Sequence, residues 1–166
     1  IPYETSINVI APDGAYIILG DLITSAGEDD ILDFGEIGSF HVQIENVGQE
    51  ASGDLLVNLL HDGTMINVLS DDLTHTSLDP GELATVGPFD VEVSWNVDDG
   101  SIAPIIVTVS GENQQWEHEM SVHIEAPSFL ILNSDLVDNG NGTLEPGESI
   151  SMEITLLNTG NSPISY

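Results

Sequence analysis

Apolar and polar residues alternate strictly over long stretches of this chain, a period of two that suits an extended strand with one buried face. Phe40, Val42 and Ile44 alternate with His41, Gln43 and Glu45. Phe89, Val91, Val93 and Trp95 alternate with Asp90, Glu92 and Ser94, and Trp116, His118, Met120, Val122 and Ile124 share a third such phase. By phase, both tryptophans face a core, an exposed aromatic platform for sugars being the alternative. Further apolar runs lie at 7–10, 16–23, 55–60 and 102–109. Turn chemistry separates them at Pro12-Asp13-Gly14, Asp62-Gly63, Asp79-Pro80-Gly81 and Asp98-Asp99-Gly100. No segment sustains a 3.6-residue period between helix caps. The pattern predicts an all-β chain folded as an antiparallel β-sandwich.

An internal repeat sets the organisation. Ile31-Leu32-Asp33-Phe34-Gly35-Glu36 precedes a strand ending Asn46-Val47-Gly48, and Thr143-Leu144-Glu145-Pro146-Gly147-Glu148 precedes one ending Asn158-Thr159-Gly160. The offset is a constant 112 residues, from Glu36 to Glu148, Asn46 to Asn158 and Gly48 to Gly160. That period is about one immunoglobulin-sized module of roughly 100 residues. One immunoglobulin-like sandwich is therefore expected over 1–126, with Pro127 breaking its last strand. The opening strands of an incomplete second module are expected over 127–166. Two or three strands are too few to close a sandwich or protect its edges. Either the parent chain supplies the rest, or another copy does; in the second case 5–10 is a candidate donor strand. The chain begins at Ile1, as a processed or excised piece would.

Composition narrows the partners. Among 166 residues there is no lysine or arginine against 29 aspartates and glutamates, a formal charge of −29. About 20 basic residues would be ordinary at this length. Self-repulsion opposes compaction, yet 40% of residues are hydrophobic, enough for a core. Nucleic acid is excluded as a partner because neutralising phosphate needs Lys or Arg. No run approaches the roughly 20 apolar residues of a membrane span. Cysteine is absent, which removes disulfides, thiolate metal sites and thiol catalysis. Cations are the natural counter-ligands, calcium above all. Missing Lys and Arg suit life among proteases that cut there, and equally suit brine, where salt screens like charges.

Leu144-Glu145-Pro146-Gly147-Glu148, followed by the strand ending Asn158-Thr159-Gly160, resembles the start of CARDB-like immunoglobulin modules. Such modules occur in tandem on secreted and cell-surface bacterial and archaeal proteins and beside gingipain-like cysteine peptidases. Asp79-Pro80-Gly81-Glu82 with the strand from Phe89 resembles the later half of the same module, so the likeness covers essentially the whole chain. One departure is Phe34, which stands where the repeat has Pro146. The resemblance implies an extracellular, non-catalytic structural or adhesive module. In the Asn-x-Gly ending, Asn46 and Asn158 are expected to bond their own backbone, and Gly48 and Gly160 to permit positive φ.

The candidate site is the acidic loop ahead of each core strand. In module two, Asp138, Asn139, Asn141, Thr143 and Glu148 alternate oxygen ligands with glycines, a pattern suited to Ca2+ but lacking the EF-hand spacing. In module one the aligned residues are Glu28, Asp29, Asp30, Asp33 and Glu36, whose carboxylates repel unless a cation sits among them. Asp21 and Asp135 are additional oxygen donors within reach in sequence. Of the five histidines, His41 and His123 lie on the polar phases of their strands and His118 shares the phase of Trp116 and Met120; all five read as ordinary histidines among carboxylates. Asn141-Gly142-Thr143 is formally a glycosylation sequon. Nucleophile-elbow, phosphate-loop and zinc-protease patterns are absent, and so many acids make any catalytic carboxylate pair uninformative. The expected partners are neighbouring immunoglobulin-like modules or identical subunits, with a cell-surface or carbohydrate ligand unspecified. Two other roles stay open: a filament subunit joined by strand exchange, and an accessory region of a secreted gingipain-like peptidase.

Overall fold

The computed structural model describes residues 13–61, 64–70, 72–137, 143, 145–147 and 149–164. Its strands are β1 (Ile17–Ser25), β2 (Leu32–Asp33), β3 (Ile37–Asn46), β4 (Leu55–His61), β5 (Ile66–Val68), β6 (Leu73–His75), β7 (Leu83–Val93), β8 (Ser101–Ser110), β9 (Gln115–Glu125), β10 (Phe129–Val137) and β11 (Ser151–Asn158). Among the described residues there is no helix. The expected strand at 7–10 and the Asp62-Gly63 turn lie outside the described residues.

Alternation decides which side of each strand meets the core. One sheet has the order β1-β3-β7-β5, the other β2-β9-β8-β4-β6. From the first sheet Ile17, Phe40, Val42, Ile44, Phe89, Val91 and Val93 are buried, and from the second Leu55, Val57, Ile105, Val107, Val109, Trp116 and Ile124. Together they form one continuous core. Burying each large aliphatic or aromatic side chain contributes about 1.5–3 kcal/mol, an upper estimate. This apolar burial offsets the mutual repulsion of the acids without any Lys or Arg to pair with them.

Strand pairing is antiparallel except where β2 runs parallel to β9, Leu32 against Ile124 and Asp33 against Glu125. The entering chain thus serves both sheets, β1 pairing with β3 in one and β2 with β9 in the other. The fold is an all-β, immunoglobulin-like sandwich.

Among the described residues, β10 and β11 pair only with each other, and every residue of both is exposed. Shifted by 112 positions, they repeat the pairing of β1 with β3. Ile17 faces Asn46 in the first pair and Phe129 faces Asn158 in the second. The register slips after Leu19 in β1 and after Ile131 in β10, the same place once shifted. Burial differs: Ile17, Val42 and Ile44 are each 0% exposed, whereas Phe129, Ile154 and Leu156 are 48%, 51% and 53% exposed. The hairpin therefore carries the inner face of a sandwich with no second sheet against it among the described residues.

Candidate functional site

The repeated asparagine is a four-way backbone clasp. Asn46 Oδ1 accepts the N–H of Tyr16 at 3.1 Å and of Gly48 at 3.0 Å. Its Nδ2 donates to the carbonyls of Glu50 at 2.8 Å and Leu78 at 2.9 Å. The buried amide thereby meets its donor and acceptor needs, tying the entrance of β1 to the exit of β3. Asn158 repeats three of these four bonds 112 residues on. Its Oδ1 accepts Ser128 and Gly160 N–H groups at 3.1 Å each, and its Nδ2 donates to the Ser162 carbonyl at 2.9 Å.

Gly48 and Gly160 do not have positive φ, contrary to the expectation from the Asn-x-Gly ending. They are glycines because the incoming strand crosses where a side chain would stand. A Cβ on Gly48 would lie 2.2 Å from the Gly14 carbonyl oxygen, and one on Gly160 2.2 Å from that of Ala126.

Asp99 joins the sandwich to the hairpin. It sits in the Asp98-Asp99-Gly100 turn, where Gly100 takes φ +74°. Asp99 Oδ1 accepts the N–H of Ala126 at 3.1 Å and of Asn161 at 3.2 Å, while Oδ2 accepts Asn161 Nδ2 at 3.2 Å. The amides of Ala126 and Asn161 hold its carboxyl below the usual aspartate range, with a smaller contribution from His123. Ser162 is buried beside the joint, and its hydroxyl donates to the Pro163 carbonyl at 3.3 Å. Burial pushes the Asp33 carboxyl up and the charge of Asp29 adds to the rise, while the neighbouring Ser162 hydroxyl opposes it. A hollow of about 210 Å³ separates the Asp33–Glu36 turn and Trp95 from Ser162 and Pro163.

Trp95 corrects a second expectation: it is 72% exposed, whereas Trp116 is buried. The β7 ladder ends at Val93, whose N–H bonds the Glu36 carbonyl at 2.8 Å; Ser94 N–H then turns to the Met65 carbonyl at 2.8 Å. Alternation continues in the sequence past the point where pairing stops. The indole instead lies over Gly35, where a Cβ would come 2.5 Å from Cδ2 and Cε2, and meets Phe34 edge to face with centroids 5.5 Å apart.

Among the proposed metal ligands, Asp138, Asn139, Asn141 and Glu148 lie outside the described residues; Thr143 is described and exposed. In module one, Glu28, Asp29 and Asp30 are exposed, and Asp33 and Glu36 half-buried. Local bonds shape this loop. Asp29 Oδ1 accepts Ile31 N–H at 3.1 Å, Glu36 Oε2 accepts Asp33 N–H at 3.0 Å, and Asp30 takes φ 61°. Among the described residues no three His, Asp or Glu side chains converge to hold a metal ion.

No protein-family profile matches the chain, and no curated protein sequence matches it. Solved structures do. Native alpha-2-macroglobulin from Escherichia coli, spanning domain MG7 to the C-terminus, is similar over 76% of this chain at 15% identity and a TM-score of 0.51. This chain spans 19% of that one. The CARDB domain of a Pyrococcus furiosus protein, in complex with di-metal ions, aligns over 75% of this chain and 99% of its own at 19% identity and a TM-score of 0.41. The first likeness supports the immunoglobulin-like fold.

Proposed function

We propose that this chain is a non-catalytic structural module of an extracellular tandem array, whose joint fixes the direction in which the next module leaves. The observation that carries this is the recurrence of one clasp, Asn46 and then Asn158, with the second locked to the first module through Asp99 and Asn161. A flexible linker would have neither a buried Ser162 nor a carboxylate collecting donors from both sides of the junction. Small-angle scattering tests the proposal. Wild type should fit a single arrangement of sandwich and hairpin, and Asp99→Ala should require a spread of arrangements. A wild type that already requires the spread would remove the joint from the account.

The open apolar face of β10 and β11 supports a second reading, assembly by strand exchange between copies. Ile131 and Met152 there are 61% and 60% exposed, and an unprotected sheet edge recruits other strands. Light scattering across a concentration series separates the two: a constant mass excludes assembly, and growth with concentration supports it. A role beside a secreted peptidase rests on the sequence resemblance and the missing Lys and Arg. The alternating Asp, Asn and Gly pattern of the second acidic loop supports calcium binding there.

A further inference from the structure

The exposed indole of Trp95 borders a cleft of about 540 Å³ lined from β5, the end of β7 and the end of β4, within the size range of small-ligand sites. Its ring is fixed before any ligand arrives. One indole face lies against the Gly35 backbone, Phe34 abuts it at 89°, and the backbone on either side is pinned by Ser94 N–H to the Met65 carbonyl and Asn96 N–H to Ser94 Oγ. With 72% of the residue exposed, the opposite face is open. Polar groups stand next to it: Asn67 on β5 and Glu92 on β7 are direct cross-strand partners, and both line the cleft with Asn96.

An open, rigid aromatic face beside an amide–carboxylate pair fits a sugar ring. The axial C–H side of a pyranose stacks on an indole, and neighbouring hydroxyls can donate to Glu92 while exchanging bonds with Asn67 and Asn96. Charge narrows the class. With a formal charge of −29 and no Lys or Arg, the protein repels uronate, sulfate and phosphate groups, and His61 is the one basic side chain among the residues lining the cleft. We infer that Trp95 and the Asn67–Glu92 pair form a binding site for neutral saccharides. Phe34, the departure from proline in the repeat, packs at a right angle to this indole. The inference stands apart from the joint at Asp99 and holds or fails without it.

The test uses the whole chain with laminarin, glucomannan and hydroxyethylcellulose as neutral probes, chitosan oligomers as the cationic control and alginate as the anionic one. Two readouts are followed, retardation in native gels containing each polymer and tryptophan emission. Only one of the two tryptophans is exposed, so an emission shift reports Trp95. The expected result is retardation and an emission shift with at least one neutral polymer, insensitive to salt. Trp95→Ala should weaken retardation about tenfold or more and Trp95→Phe should retain part of it, a tenfold change being about 1.4 kcal/mol. Glu92→Gln should weaken it less, with thermal unfolding of all three variants close to wild type. The inference is overturned if no neutral polymer is retained, if retention survives Trp95→Ala, or if only chitosan binds and salt abolishes it.

Discussion

Asn161 grips Asp99 across the junction between sandwich and hairpin, its backbone N–H 3.2 Å from Oδ1 and its side-chain amide 3.2 Å from Oδ2. A carboxylate that collects donors from Ala126 and Asn161 works only while ionised. Its pKa is lowered in the folded chain, so the stability it gives is full above the ordinary aspartate value and is lost as pH falls through the lower, folded value. Asp33 has the opposite sign. Its pKa is raised by burial, and its contribution is full below the ordinary value and lost as pH rises through the folded one. Carboxyl carbon shifts followed by NMR should place the Asp99 midpoint below the ordinary value and the Asp33 midpoint above it; a reversed order would contradict the joint geometry.

Removing the first clasp should be costly. Asn46→Ala leaves the Tyr16 and Gly48 amides and the Leu78 and Glu50 carbonyls without their partner, a loss of about 3 kcal/mol in chemical denaturation. Asn46→Asp should lose a comparable amount, since it keeps the acceptor but cannot donate to the two carbonyls. An Asp variant as stable as wild type would show that the donor half of the clasp is dispensable.

Glycine at the strand crossings is required by space, not by φ. Gly48→Ala should destabilise the sandwich by about 3 kcal/mol, because its Cβ meets the Gly14 carbonyl and nearby backbone. Gly160→Ala should leave unfolding of the sandwich unchanged and raise amide exchange only in β10 and β11. Equal effects of the two substitutions on sandwich stability would contradict this division.

How far the sequence reveals the fold depends on which interactions are local. Phe40, Val42, Ile44, Phe89, Val91 and Val93 could be placed inward from alternation alone, whereas the 112-residue offset gave no register, and the matching pairings of β1 with β3 and β10 with β11 are visible only in the structure. The short strands β2, β5 and β6 span two or three residues, too few for any period to register; partners far along the chain create them. Trp95 misled because alternation runs on after the ladder has ended. Asp99 reads as an ordinary turn aspartate, and its role depends on amides 27 and 62 residues away. The departure at Phe34 was visible in sequence, but its contact with Trp95 was not.

Calcium binding by the second loop should raise the melting temperature in calorimetry by more than magnesium at equal ionic strength. Glu28→Gln with Asp30→Asn in the first loop should leave that difference unchanged. Identical shifts with both ions would mean screening of the negative surface alone and would end the calcium proposal.

The central claim is that sandwich and hairpin form one rigid joint built from a repeated unit. Residual dipolar couplings test it most directly. The account predicts that amide couplings from β1–β9 and from β10–β11 fit one alignment tensor in wild type and need two in Asp99→Ala. Two independent tensors in the wild-type protein would contradict it.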